Sequence, residues 1–387
     1  MTHGPDQSER ASMDAPAGVA WLFEESVRRG ASDIHLEPTG NGVAVRLRID
    51  GVLMDLEVLP ASAGRAWVNR WMVLAGLLTY RLDVPQEGRG EAGGTEVRVS
   101  VMPTNHGLRA VVRLPAGLAA DTEIEGLGLP GAVRDGLLRF TGGGASVGGG
   151  MLILCGPAGS GKTTATYAVL RRLGAGGGLS VVSLEDPIER DVAGVTQVEV
   201  RPFGELTYER ALRSLLRQDP QALALGEVRD AATAKVAVEA ALSGHRLVTT
   251  LHAGSAVGAL MRLLEMGVPA YQLAAAVSGV AALRLVRKAD GQGGYAGRSA
   301  VGSFAAMDGA LRAALVDGAR GEALEAVLRA QTGYETVEAS AGRLMTEGVT
   351  DAAELQRALG LDARREGFAV GMNQESGAPV LPEKESR

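Results

Sequence analysis

The sequence predicts an α/β fold built on a mostly parallel sheet, preceded by a smaller α+β unit. Three observations carry that prediction. In the second half, short apolar runs (MLILC, LSVVSL, ALAL, RLVTTL) alternate with segments of helical period, the order that makes strands parallel and helices their crossovers. The first of those runs is followed at once by GPAGSGKT, a glycine loop that opens a helix. In the first half, VAVRLRIDG, EVRVSVMP and LRAVVRLP alternate strictly between apolar and polar residues, the pattern of strands with one face on a core and one in water.

Taken in order, MTHGPDQSERASMDAPAG is polar and lacks the basic-then-apolar sequence of a secretory signal. It reads as a tail over residues 1–16. A helix over Val19–Arg29 leads into GASDIHLEP and VAVRLRIDG, which turns at Asp50-Gly51. A second helix over Arg65–Leu78 precedes the strands EVRVSVMP and LRAVVRLP, joined by Thr104-Asn105-His106-Gly107. This unit occupies residues 17–118. The glycine-rich stretch 119–149, ending in GGGASVGGG, reads as a linker. The α/β unit covers 150–366, with predicted helices over Thr163–Leu173, Glu209–Gln218 and Ala231–Leu242 and a mostly helical part after Ser255. A polar tail fills 367–387. The apolar window Gly267–Val286, broken by Pro269, Gln272, Ser278 and Arg284, falls short of the ~20 apolar residues a membrane span needs. It reads as buried helix, and membrane contact as peripheral.

Composition sets limits. The 387 residues are 46% apolar and 22% charged, an ordinary globular balance. The net charge of −6 comes without a block of like charge, so no nucleic-acid footprint is visible. A single cysteine, Cys155, excludes an internal disulfide and a cysteine zinc site and suits an intracellular protein.

GPAGSGKT, with Gly156, Pro157, Ala158, Gly159, Ser160, Gly161, Lys162 and Thr163, fits G-x-x-x-x-G-K-[ST] between an apolar strand and a helix. Its backbone N–H groups can turn toward a phosphate, Lys162 can reach the outer phosphoryl oxygens, and Thr163 can hold Mg²⁺. A chain with 54 glycines could make such a loop idly, but it has only four lysines against thirty-five arginines. A lysine at this point argues against drift.

Two more strands end in acids at the same carboxyl edge of the sheet. LSVVSL runs into Glu185-Asp186-Pro187-Ile188-Glu189, and ALAL into Gly226-Glu227. One carboxylate near a terminal phosphate can orient water while another supports the metal. Alone, Glu185 and Glu189 read better as solvated loop acids, whereas Glu227, between an apolar strand and Arg229-Asp230, favours catalysis. His252, after RLVTTL, could contact a phosphate, and reads equally well as an incidental loop residue. His245, at the far end of that strand, reads as structural.

With those pieces in place, the chain resembles the secretion ATPases of type II secretion and type IV pilus machines over roughly Val19–Gly360. ASDIHLEP, RLRIDGVL, PQEGR and VRVSVMPT are similar to that family's PAS-like N-terminal domain. GPAGSGKTT is similar to its Walker A motif, EDPIE with GVTQVEV to its aspartate box, LRSLLRQDP with GEVRD to its Walker B, and GHRLVTTLHA to its histidine box. The resemblance implies a RecA-like ATPase domain, ATP between the two domains with the loop through Thr164 as its cradle, and Mg²⁺ at Thr163 and Asp186. It implies Glu227 as the catalytic glutamate, Glu185 in support, His252 against the γ-phosphate, and Arg98 and Arg113 as charges brought to the nucleotide. It further implies a homo-hexamer in the cytoplasm, working with a polytopic inner-membrane platform protein and without direct nucleic-acid contact.

Departures accompany the match. Gln221 stands where the family usually has aspartate, but four strand residues put it ~13 Å from Glu227. Leu283 replaces a common glutamine and Ala253 a threonine. LVRKADGQGGYAGRSAVG lacks the four cysteines of a family zinc motif, so zinc is not expected, and the chain starts almost at the PAS-like unit, so a further docking domain is expected to be absent. Three readings follow: a motor for pilus or pseudopilus assembly or type II secretion, a DNA-transfer or retraction ATPase of the same superfamily, and a non-hydrolysing nucleotide-responsive subunit.

Overall fold

The computed structural model describes residues 12–114, 122–142, 149–176, 178–200 and 204–361. The first helix, α1 (Ala15–Arg28), starts where the Asp14 carboxylate accepts the Ala17 N–H at 2.8 Å, a side-chain cap for an otherwise unpaired donor. Strands β1 (Ala31–Thr39), β2 (Gly42–Ile49) and β3 (Val52–Leu59) follow, then α2 (Ala61–Leu74), then β4 (Gln86–Ala92), β5 (Thr95–Thr104) and β6 (Gly107–Arg113). They form one antiparallel sheet in the order β3-β2-β1-β6-β5-β4. The alternation seen in the sequence sorts its faces: Ile34, Leu36, Val45, Leu47, Val99 and Val112 pack on Trp67, Trp71 and Met72 of α2. On the other face Arg46 and Arg109 pair with Glu37, and Arg113 with Asp33.

The second sheet has the order β13-β12-β7-β11-β10-β8-β9, from β7 (Gly150–Cys155), β8 (Val181–Glu185), β9 (Thr196–Glu199), β10 (Ala222–Leu225), β11 (Arg246–Leu251), β12 (Val277–Ala289) and β13 (Tyr295–Ala306). All neighbours run parallel except β12 and β13. Strands β7, β8, β10 and β11 are buried along their whole length, because helices cover both faces, which explains unbroken apolar runs in place of alternation.

Two expectations need correction. The window Gly267–Val286 is not one buried helix: helix Ala270–Ala276 ends and β12 begins at Val277. A strand buried between neighbours carries a continuous apolar run that period alone cannot tell from a buried helix. The same error hid the hairpin β12–β13 inside a region read as mostly helical. In the stretch read as linker, a 3-10 turn (Ile124–Gly126) and helix α3 (Gly131–Thr141) place Ile124, Val133 and Leu137 in the core, each 0% exposed. The glycines on either side of that helix dominated its composition. Leu137→Ala is expected to lower stability on the order of 3 kcal/mol in denaturant unfolding, where a linker residue would leave the midpoint unchanged. The glycine run 143–148 and the tail 367–387 lie outside the described residues.

The two sheets meet edge to matching edge. At one side Arg89 on β4 donates to both Glu199 oxygens at the end of β9, at 2.9 and 3.0 Å. At the other, Asp50 in the β2–β3 turn accepts the Gly297 N–H at 2.8 Å and faces Arg298 Nε at 3.4 Å, both at the start of β13. Since β9 and β13 are opposite edges of the parallel sheet, the N-terminal sheet straddles the carboxyl ends of the strands between them.

Candidate active site

The phosphate loop connects β7 to helix α4 (Lys162–Ala175). Gly156 has φ +156° and Gly161 caps the helix at φ +92°, a left-handed conformation that glycine adopts without a Cβ clash. A Cβ on Gly156 would also lie 2.4 Å from Ser160 Oγ and 2.5 Å from the Leu283 carbonyl oxygen. Lys162 is buried, and its ammonium donates to the carbonyls of Gly156 (2.9 Å) and Pro157 (2.8 Å). Desolvation pushes its pKa below the ordinary lysine value, with Glu227 pulling the other way. The buried Ser160 hydroxyl has no hydrogen-bond partner among the described residues, and Thr163 is exposed at the first helical turn. A buried cation resting on neutral carbonyls, beside an unmatched hydroxyl at a helix N-terminus, fits an anionic phosphate.

The acids come from adjacent strands. Leu184 and Leu225 are in register, and the Gly226 N–H donates to the Leu184 carbonyl at 2.7 Å, so Asp186 and Glu227 leave the sheet side by side. Strand β11 lies on the other side of β10; there Thr250 Oγ1 donates to the Gly226 carbonyl at 2.6 Å and the Val228 N–H to the Thr250 carbonyl at 3.1 Å. That pairing brings His252 Nε2 to 3.5 Å from Glu227 Oε2. Arg229 hydrogen-bonds the other Glu227 oxygen and stands 3.6 Å from Asp186. Asp186, Glu227 and His252 are thus together, close enough to Lys162 for Glu227 to act on its charge.

Glu185 is placed differently. Its carboxylate is buried and accepts from Tyr167 Oη, from Ser183 Oγ at 2.5 Å and from Gln197 Nε2 at 2.8 Å. Tyr167, on α4, also accepts the Glu189 N–H at 3.0 Å. Glu185 therefore ties the phosphate-loop helix to the loop that carries Asp186, and its oxygens face inward. Arg98 and Arg113 are cross-strand partners. Burial and Arg89 push the Arg98 pKa down, while Glu189 and Glu199 support its charge; Arg113 donates to Asp33 at 3.1 Å and also acts on Glu189. Both arginines act on the charge of Glu189, in the acidic loop.

Sequence reasoning missed Arg229, Tyr167 and Tyr208. Arg229 stands in the quoted GEVRD and could have been proposed as a charge partner two residues from Glu227. The two tyrosines carry no sequence signal, since nothing local says where their hydroxyls arrive. Gln221 sits at the amino edge, where its Oε1 accepts the Ser180 N–H at 2.7 Å and its Nε2 donates to the Asp219 carbonyl at 2.9 Å. His245 lies at that edge too, its Nδ1 2.9 Å from the Ala240 carbonyl oxygen. Leu283 is buried against the helix layer.

A phosphate cradle with its lysine, and a carboxylate pair converging on it at the carboxyl edge of a parallel sheet, define a P-loop ATPase. The family described as Type II/IV secretion system protein matches residues 16–357, and the chain belongs to that family. It is 36% identical over 362 residues to the type II secretion system protein HxcR of Pseudomonas aeruginosa, covering 87% of this chain and 75% of that protein. To the type IV pilus assembly ATPase PilB of Thermus thermophilus it is 39% identical over 288 residues, 73% of this chain and 32% of that protein. To the type II secretion system ATPase E of Vibrio cholerae it is 38% identical over 270 residues, 69% and 53%. The chain thus spans three quarters of the first of these relatives and about half or less of the other two. Among solved structures, its fold is similar to the pilus retraction motor PilT with bound ADP (TM-score 0.63, 23% identity, 90% of this chain and 98% of that one). It is also similar to the ATPase DotB of Legionella pneumophila (TM-score 0.70, 19% identity, 92% and 97%). No helix among the described residues is long and apolar enough to cross a membrane.

Proposed function

We propose that this chain is the ATP-hydrolysing motor subunit of a type II secretion or type IV pilus machine, working as a homo-hexamer at the cytoplasmic face of the inner membrane against a polytopic platform protein. The observation that carries the reading is the convergence of Lys162, Asp186, Glu227 and His252 at one edge of the sheet. The cradle Gly156–Thr164 would hold the phosphates of ATP, and Thr163 with Asp186 the Mg²⁺. When bound, Mg²⁺ neutralises charge on the phosphoryl oxygens. Glu227 orients and polarises water, and His252, 3.5 Å from Glu227, steadies it and faces the terminal phosphate.

Arg229 bridges Asp186 and Glu227 in this structure, holding two like charges together until phosphate and metal enter. Arg98 and Arg113 are cross-strand partners on β5 and β6 of the N-terminal sheet, which contacts both edges of the ATPase sheet. Motion between the sheets would bring those arginines to developing negative charge. The direct test is Mg²⁺-dependent phosphate release by the purified full chain, with and without the cytoplasmic part of a platform protein. Absence of turnover in both would sink the motor reading, and stimulation by DNA in place of the platform would redirect it to a DNA-transfer ATPase.

A further inference from the structure

We infer that Tyr208 is a positioning residue of the hydrolytic site, its hydroxyl delivered between the ends of β8 and β10 to hold the water that Glu227 orients. The inference rests on the hydrolytic reading above. It begins with a short amphipathic helix, α5 (Tyr208–Leu215), whose Thr207 hydroxyl accepts the Arg210 N–H at 3.3 Å. Ala211, Leu212 and Leu215 bury beside the sheet, and the Tyr208 ring packs against the same core. The ring is aimed by packing, so the hydroxyl has little freedom to choose another direction.

Where it arrives is specific. A Cβ added to Gly226 would lie 2.7 Å from Tyr208 Oη, 3.3 Å from the Leu184 carbonyl oxygen and 3.6 Å from Glu185 Cα. The hydroxyl therefore occupies the space that the missing side chain of Gly226 leaves open, at the point where β8 becomes Glu185-Asp186 and β10 becomes Gly226-Glu227. Burial raises the Tyr208 pKa, and Asp186, Glu227 and Glu185 raise it further while Arg229 opposes them, so the phenol remains a protonated donor.

The neighbouring groups already have partners. Glu185 is held by Tyr167, Ser183 and Gln197, and Glu227 by Arg229. The Tyr208 hydroxyl makes no hydrogen bond to another described residue. A neutral donor beside two carboxylates can hold a water against Glu227 without neutralising it. An aromatic ring that only filled the edge of the core would need no oxygen.

Tyr208→Phe removes that one oxygen and keeps the ring. The expected result is a fall in kcat for ATP of about tenfold, with KM and the affinity for a non-hydrolysable ATP analogue within about twofold of the parent and an unchanged melting temperature. Gly226→Ala, which crowds the hydroxyl from its place, is expected to lower kcat in the Tyr208 protein and to add little in the Tyr208→Phe background, because both changes remove one interaction. A Tyr208→Phe protein with parental kcat, or one altered only in KM, would overturn the inference while leaving the motor intact. A parent chain without phosphate release would instead overturn the hydrolytic reading beneath it.

Discussion

Glu227→Gln is expected to abolish steady-state phosphate release while ATP binding persists. Glutamine keeps the shape of the side chain and one carbonyl oxygen, so the cradle of Gly156–Thr164 and the packing beneath Gly226 are untouched. What it loses is the charge that polarises water and pairs with Arg229. A positioned carboxylate of this kind contributes a factor of about 10²–10⁴ to turnover, so the residual rate should fall at least a hundredfold. Filter binding of labelled ATP beside a phosphate-release assay separates the two quantities. Turnover within tenfold of the parent would remove Glu227 from its role and pass it to Asp186. The same pair of assays tells binding from catalysis at Lys162, whose loss should appear first in affinity.

The second large effect is structural. Glu354, on the helix Ala352–Leu359, is fully buried. It accepts the Arg287 N–H (2.9 Å) and Arg287 Nε (2.8 Å) from β12, and Arg357 Nε (2.7 Å) and Nη2 (2.5 Å) from its own helix. Arg287 also stacks 3.9 Å from the Tyr295 ring, and Tyr295 donates to Asp351 at 2.9 Å. This network fastens the last helices to the strand whose other end supports the phosphate loop. Glu354→Ala leaves the part-buried Arg287 guanidinium without its carboxylate and is expected to cost about 3 kcal/mol, read as an earlier unfolding transition in denaturant. Burial opposes ionisation of Glu354, but the hydrogen bonds from Arg357 and Arg287 outweigh it and bring the pKa to about 2 from an ordinary 4.5. A depressed carboxyl pKa stabilises the fold at pH above the ordinary value, and the contribution is lost as pH falls from there toward about 2. The variant should therefore lose less stability than the parent over that acid range; equal losses would show that the network does not titrate as one.

Much of this was legible in the sequence because it depends on neighbours along the chain. Apolar runs at β7, β8, β10 and β11, helical period over Ala231–Leu242 and the glycine loop each declare themselves within a dozen residues. The convergence of Asp186, Glu227 and His252 was also legible, since parallel strands deliver their following residues to one edge. β12 was not, because a strand buried on both faces has no period to display, and α3 was not, because flanking glycines masked a helix with three buried anchors. The inward turn of Glu185 depended on Tyr167, eighteen positions earlier, and on Gln197, twelve later.

The sequence by itself determined the chemistry available: a phosphate cradle and acids at strand ends. Local hydrogen bonding and period are properties of short segments, so they survive reading in one dimension. Only the tertiary structure decided which acid faces the cleft and which is locked inside, that the N-terminal sheet spans the carboxyl edge from β9 to β13, and that a tyrosine hydroxyl fills the gap above Gly226. Those outcomes follow from strand order and from helices packed across it, where residues far apart in the chain meet at distances of a few ångströms and compete for the same partners.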